Sequence, residues 1–371
     1  MTQRPVEVFA VEPTSAQLIV RSPFDGIHEV GASDQELPVE VRDGIGSVVV
    51  DGLEPDASYP LRLDGEAAGT VRTLARPPGR LLGRLATVSD IHVGETGFGH
   101  LPRQHLSADF RRAHPVVALT AALRELTAWG AEGLLVKGDL THDCRAGQFE
   151  IAGELLAAFP GPVHVIPGNH DGGNHNHDDG AEVLARHGIA LRLSTAAVDL
   201  AGLRVVSVNT MRPGHEHGYA PAEDDPVFEL IGQGAPALVV LHHHLMTTRL
   251  PYFVPLGVPA GPARAFLDHL AVSNPDVWVT SGHTHRHRRR VHGPLVVTEV
   301  GSVKDHPGTW AGYLVYEGGL VQTVRRIADP TILAWTERTA RSALGAWGRW
   351  SPGRLADRSV SHSWATARLG A

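Results

Sequence analysis

Apolar positions come in short runs along the whole chain, and the character of the runs changes near residue 80. From residue 6 to about 72 they alternate with polar residues, as in Ala16-Gln17-Leu18-Ile19-Val20-Arg21 and Tyr59-Pro60-Leu61-Arg62-Leu63, between Asp-Gly and proline-containing breaks. A period near two with such breaks predicts an antiparallel sheet or sandwich. Residues 73–80, with Pro77-Pro78-Gly79, read as a linker. Beyond it the runs become continuous, at 85–89, 133–137, 163–166, 237–241 and 276–280. Helix-periodic stretches separate them near 115–129, 147–159, 181–187 and 262–272, with a hairpin at 197–200 and 203–208. Continuous apolar strands with helices between them predict an α/β domain whose sheets are covered on both faces. More β-rich segments follow at 295–300, 313–316 and 320–325, and 331–350 has the spacing of one amphipathic helix.

Composition narrows the function classes. The formal charge of −7 disfavours broad, sequence-independent binding to nucleic acid. The single cysteine, Cys144, excludes an intrachain disulfide and a cysteine-based zinc site, and suits a reducing compartment. The first residues lack the basic and then apolar run of a secretory leader, and no apolar stretch approaches the ~20 residues of a membrane span. A cytoplasmic protein is therefore expected. Histidine is abundant, at 23 residues, and much of it is clustered.

The clusters fall where strands end. Five apolar runs lead into Asp90-Ile91-His92, Gly138-Asp139, Gly168-Asn169-His170-Asp171, His242-His243-His244 and Gly282-His283-Thr284-His285. Strand–helix alternation gathers strand C-termini along one edge, where sites in open α/β sheets form. Asp90, His92, Asp139, Asn169, His242, His283 and His285 are thus expected to meet in space. Two carboxylates, one amide oxygen and four imidazoles suit Fe, Mn, Zn or Co better than Ca or Mg. Seven ligands suit two ions bridged by a carboxylate and by water, and such a pair predicts in-line hydrolysis of a phosphate ester.

These motifs, in this order, resemble the calcineurin-like metallophosphoesterases over residues 84–327. The Asn-His-Asp and His-Thr-His forms look most like the class III cyclic nucleotide phosphodiesterases and related glycerophosphodiesterases. The resemblance implies a four-layer sandwich, two mixed β-sheets flanked by helices, acting on a small phosphodiester through water activated between two metal ions. It implies that Asp90, His92 and His285 hold the first metal, that Asp139 bridges, and that Asn169, His242 and His283 hold the second, with His243 as the alternative to His242. Asn169 and His170 would contact substrate. His170, not a ligand, would stabilise the phosphoryl group or protonate the leaving alkoxide. Asp171 either orients His170 or caps the next turn. The rival readings are a phosphomonoesterase on the same site and a non-catalytic scaffold.

Several segments stand outside that pattern. Leu53-Glu54-Pro55-Asp56-Ala57-Ser58-Tyr59 resembles the tyrosine corner of Ig-like sandwiches, so residues 1–78 look like a fibronectin type III-like module ahead of a phosphoesterase domain at 79–330. The loop Leu140-Thr141-His142-Asp143-Cys144 departs from the family's acidic-glycine continuation. Asn174-His175-Asn176-His177-Asp178-Asp179 reads as a solvated loop, and Arg286 to Arg290 as a solvated basic run or a lure for an anionic substrate. Residues 304–310 are expected to wall the pocket, with Trp310 either packed or stacking on a base. The extension 331–371, rich in Trp and Arg, is expected to pack back on the enzyme domain, with a subunit or membrane-surface contact as alternatives.

Overall fold

The computed structural model describes residues 5–99, 104, 105, 107, 109, 111–172, 177–232, 235–248 and 255–365, with backbone only for 177–179. The loop expected at 174–179 thus lies outside the residues whose side chains are described.

The N-terminal region is all antiparallel β. Strands β1 (Val6–Val11), β2 (Ser15–Arg21) and β5 (Ile45–Asp51) form one sheet in the order β1-β2-β5. Strands β3 (Gly26–Ala32), β4 (Gln35–Val41), β6 (Ser58–Leu63) and β7 (Glu66–Arg72) form the other, in the order β4-β3-β6-β7. Leu18, Val20, Val30, Val41, Val50, Leu61 and Val71 fill the space between them. At the corner before β6 the Glu54 N–H donates to the Tyr59 hydroxyl at 2.8 Å. Strand β2 is buried on both faces. Its period-two pattern sends Leu18 and Val20 into the sandwich and Ile19 outward, against Phe9, Ile45 and Leu333 of the C-terminal segment.

The second region has two sheets. The first runs β13 (Ala190–Leu191), β12 (Val163–Ile166), β11 (Gly133–Lys137), β8 (Leu81–Val88), β20 (Thr309–Tyr316), β21 (Gly319–Arg326) and β22 (Ser359–Ser363). The second runs β14 (Ala196–Leu200), β15 (Leu203–Ser207), β16 (Ala237–Val240), β17 (Val277–Ser281), β19 (Leu295–Glu299) and β18 (Arg288–His292). The short pair β9 (Gly97–Phe98) and β10 (Gln104–His105) stands apart. Alternate side chains divide each strand between layers. Leu135, Ile166, Leu238 and Trp278 meet between the sheets. Leu134, Val136 and Val165 face helices α1 (His114–Ala128), α2 (Ala146–Leu156) and α3 (His177–Arg186). Val239, Val279 and Val297 face α4 (Val227–Leu230) and α5 (Ala260–Ser273). The result is the four-layer α/β architecture. No helix among the described residues is long and apolar enough to cross a membrane.

The C-terminal segment departs from the expected single helix. Helix α6 (Pro330–Thr339), N-capped by Asp329, stops, and α7 (Ala346–Trp350) follows a turn at Ala343, Leu344 and Gly345 with φ of 52°, 56° and 81°. Left-handed backbone cannot continue a right-handed helix, and Gly345 accepts it without steric cost. Helix α8 (Leu355–Arg358) then leads into β22, which pairs antiparallel with β21. Trp335 and Trp364 are buried, so only Trp347 and Trp350 of this segment's four tryptophans are partly open.

Charged groups join the N-terminal sandwich to this segment. Arg21 contacts Glu7 at 2.8 Å and Glu337 at 3.3 Å, and Glu337 also meets the fully buried Arg326 at 2.9 Å. Burial alone would raise the Glu337 carboxyl, but the guanidinium charges of Arg326 and Arg21 pull it down to about 2. Its folded value lies below the unfolded one near 4.5, so its contribution is complete above pH 4.5 and fades as pH falls toward 2. Glu337→Gln is therefore expected to lower stability at pH 7 by on the order of 2–3 kcal/mol. In thermal melts the gap from wild type should close as the pH approaches 2.

Candidate metal centre

Strands β8, β11 and β12 run parallel in one sheet, and β16 and β17 run parallel in the other. Their C-terminal ends open on one edge of the sandwich. Asp90, His92, Asp139, His283 and His285 all adopt left-handed φ, between 51° and 71°. Each such residue costs ~1–3 kcal/mol and persists only where neighbours over-determine it. Backbone cross-links between strand ends supply that constraint. Asp90 N–H donates to Gly138 O at 3.1 Å, His92 N–H to Asp139 O at 2.9 Å, and Gly282 N–H to His242 O at 2.9 Å. Two glycines make the approach possible. A Cβ on Gly138 would strike the His242 imidazole, and one on Gly168 would strike Asp139.

All seven expected ligands converge. The ligand atoms of Asp90, His92 and His285 lie within 4.8 Å of one another, and so do those of Asp90, Asp139 and His242. Asn169 Oδ1 is 3.2 Å from His242 Nε2, which is 3.2 Å from His283 Nδ1. His242 Nε2 and His92 Nε2 lie 3.4 and 3.5 Å from Asp139 Oδ2, and His285 Nε2 lies 3.4 Å from Asp90 Oδ1. The outer nitrogens set the tautomers. His242 Nδ1–H donates to Lys137 O at 2.7 Å, His283 Nε2–H to Leu256 O at 3.1 Å and His285 Nδ1–H to the Asp305 carboxylate at 2.6 Å. In each ring the other nitrogen then turns its lone pair inward. His243, the alternative to His242, engages Thr210 through Nδ1 at 2.9 Å, though its ligand atom also lies within 4.8 Å of those of His242 and His283.

The donor set fits two transition-metal ions. His92 is buried and neither ring nitrogen has a hydrogen-bond partner among the described residues, an arrangement costly for a polar group unless an ion engages it. Carboxylate, amide and imidazole donors together match such ions. Electrostatics agree. Burial would raise the Asp139 carboxyl, yet the neighbouring His242 and His170 hold it well below the usual range. Burial pulls His242 and His285 down, but carboxylates lift them to about 9 and about 10: Asp139 acts on His242, and Asp305 with Asp90 on His285. His283 is driven down to about 3, chiefly by burial and then by His242.

His170 stands beside these groups. Its N–H donates to Asp139 Oδ1 at 2.9 Å, and its Nδ1–H to His142 O at 2.8 Å. Its ring edge meets His92 at 4.5 Å, and the residue is half-buried. Asp171 does not orient it. The buried Asp171 carboxylate accepts the N–H groups of Leu140, Thr141 and Gly168 and the Thr141 hydroxyl, all between 2.8 and 3.0 Å, and so latches the loop after β12 to the loop after β11.

Other expectations need correction. Arg286 to Arg290 is not one solvated run: Arg289 is exposed, but Arg286 is buried and Arg288 and Arg290 are half-buried. Arg286 and Arg290 turn inward to the buried Glu299, at 2.8 and 3.9 Å, and Arg288–His292 forms an antiparallel strand on β19. Of the two readings of Trp310 the packed one holds: it is buried and donates to Glu125 at 3.2 Å. Three residues near the centre were given no contact with the candidate ligands in the sequence reading. Asp305 holds His285, Trp347 donates to Asp305 at 3.3 Å, and the His142 ring stacks on His170 at 5.3 Å. The one available signal was His142, three residues past the candidate ligand Asp139 in a loop that departed from pattern.

A family model described as calcineurin-like phosphoesterase matches residues 83–287. No curated protein matches the chain by sequence. Among solved structures, the chain is similar to the purple acid phosphatase PPD1 of yellow lupin (Lupinus luteus), at 12% identity over 88% of this chain and 72% of that one, with a TM-score of 0.48. It is similar to the protein TT1561 of Thermus thermophilus, at 11% identity over 67% and 100%, with a TM-score of 0.44. It is also similar to a phosphopantetheinyl hydrolase of Mycobacterium tuberculosis, at 15% identity over 59% and 89%, with a TM-score of 0.36.

The Asp171 latch gives a direct test of how the edge is held. Asp171→Ala leaves its donors unpaired in the interior and should destabilise the protein by on the order of 3 kcal/mol. Chemical denaturation should show that loss with the slope of the transition unchanged.

Proposed function

Because the chain belongs to the calcineurin-like phosphoesterase family, we propose that it hydrolyses a small phosphodiester, of the cyclic nucleotide or glycerophosphodiester type, at a dinuclear metal site. Asp90, His92 and His285 would hold the first ion, Asn169, His242 and His283 the second, with Asp139 between them. Fe, Mn or Zn suits these donors. Once bound, the ions supply Lewis acidity and lower the pKa of a water shared between them.

The observation that carries the reading is the placement of His170. Its Nδ1–H is fixed on the His142 carbonyl, its backbone is fixed on Asp139, and its ring lies half-buried beside the ligand His92. The Nε2 atom is therefore the free end of an oriented imidazole. Carrying a proton, it donates to a phosphoryl oxygen or to the departing alkoxide of a diester. Asn169 stands next to it, also half-buried, and its side-chain N–H group would contact the substrate while its oxygen faces the metal.

The neighbouring regions take supporting parts. The sheet orders β1-β2-β5 and β4-β3-β6-β7, with the Glu54–Tyr59 bond, support reading residues 1–78 as a fibronectin type III-like module. We place the protein in the cytoplasm with a small phosphoester as its partner.

Metal-loaded protein should turn over bis(p-nitrophenyl) phosphate faster than p-nitrophenyl phosphate, and a chelator should abolish both activities. Asn169→Ala and His170→Ala should each lower kcat for the diester by ~10²–10⁴-fold. A metal-loaded wild type that cleaves only the monoester would move the assignment to a phosphomonoesterase. Variants as active as wild type would remove both residues from the chemistry.

A further inference from the structure

The loop behind His285 is held from the C-terminal segment. Asp305 is fully buried and divides its two oxygens, one taking His285 Nδ1–H at 2.6 Å and the other Trp347 Nε1–H at 3.3 Å. Trp335 Nε1–H donates to Lys304 O at 2.7 Å, and His306 N–H donates to the Thr339 hydroxyl at 2.8 Å. The chain also accepts local strain to bring Trp347 there. Ala343 and Leu344 are left-handed although neither is glycine, and Leu344 is 85% exposed, so no burial of its own compensates. The turn redirects α7 so that the Trp347 indole meets the His285 ring edge-on at 6.2 Å and packs near Phe98 at 6.0 Å.

We propose that Trp347 is a positioning residue for the first metal: by donating its indole N–H to Asp305 it fixes the carboxylate that orients His285. The inference rests on the metal reading above and extends it to a segment outside the matched region. An indole N–H is a donor only, so the bond has one direction. A ligating imidazole whose outer N–H is held by a carboxylate is locked in tautomer and ring angle and becomes more basic toward its metal. That carboxylate holds its own angle only if its second oxygen is also engaged. In the interior Trp347 supplies that engagement, while Lys304, 4.0 Å from the first oxygen, is occupied by Glu95 at 2.6 Å.

The test is isothermal titration of full-length, chelator-stripped protein with Mn²⁺ alone, for wild type, Trp347→Phe and Asp305→Asn. The phenylalanine keeps an aromatic ring and removes the donor. Wild type should take up two equivalents. Trp347→Phe should weaken one of them by roughly tenfold and leave the other unchanged, and Asp305→Asn should weaken the same one by ~10–100-fold. The metal-free proteins should melt together. Trp347→Phe binding both equivalents as tightly as wild type, or losing both equally, overturns the proposal. Should that variant melt early, Asp305→Asn decides, and unchanged affinity there overturns it. A wild type that takes up no Mn²⁺ overturns the metal reading itself, whereas two tight equivalents unaffected by either variant overturn the roles of Trp347 and Asp305 and leave the metal reading standing.

Discussion

Asp90 and Asp139 are buried carboxylates with oxygens less than 4.8 Å apart, and the surrounding structure keeps them ionised. Two such charges in an interior are costly unless cations and hydrogen bonds surround them. His285 and His242 approach from the second sheet, and the Ser89 hydroxyl and His283 N–H donate to Asp90. Lys137 lies beneath, brought down to about 7 by burial against the opposing pull of Asp90. The same carboxylates that Asp90 and Asp139 contribute lift His242 to about 9 and, with Asp305, His285 to about 10.

That charge cluster explains why two sheets are needed. One mixed sheet presents Asp90, His92, Asp139 and Asn169 at its edge, and the other presents His242, His283 and His285. Neither set alone combines both carboxylates with more than one imidazole. The left-handed turns that aim these side chains are unfavourable in isolation. They persist because each strand end is bonded to the next and because Asp171 ties two of the loops together. At this edge the strain sits in the turns, while the strands behind them are regular.

This division also governs what was legible in the chain. Strands such as Gly133–Lys137 and Val163–Ile166 read correctly because both faces are buried and the apolar run is unbroken or nearly so. The convergence of the candidate ligands was legible because polar residues at the ends of such runs have no packing reason to be there. Strand β22, Ser-Val-Ser-His-Ser, carries too few apolar residues to announce itself and exists because β21 offers an unpaired edge. The break after α6 depends on three left-handed residues, of which only Gly345 hints at it. Asp305 belongs to no periodic pattern, and its role becomes visible only when β17 and the loop before β20 are brought together. Arg286 and Arg290 misled because the acid they serve, Glu299, lies on a neighbouring strand.

The N-terminal sandwich bears on the site through the same C-terminal segment. A helix of ten residues such as α6 is marginal alone and needs an apolar surface to form. The outer face of β2 contributes to one, with Leu333 set among Phe9, Ile19 and Ile45. Around it, the Gln17 amide bonds both backbone groups of Arg326, and Glu12 takes Arg325 and the Trp129 indole. Formed in this way, α6 presents Trp335 and Thr339 to the loop that carries Asp305. The β domain is thus more than a tethered appendage. It completes a packed path from its own outer face, through α6, to the carboxylate that holds His285, so the surroundings of that imidazole extend to a surface outside the phosphoesterase layers.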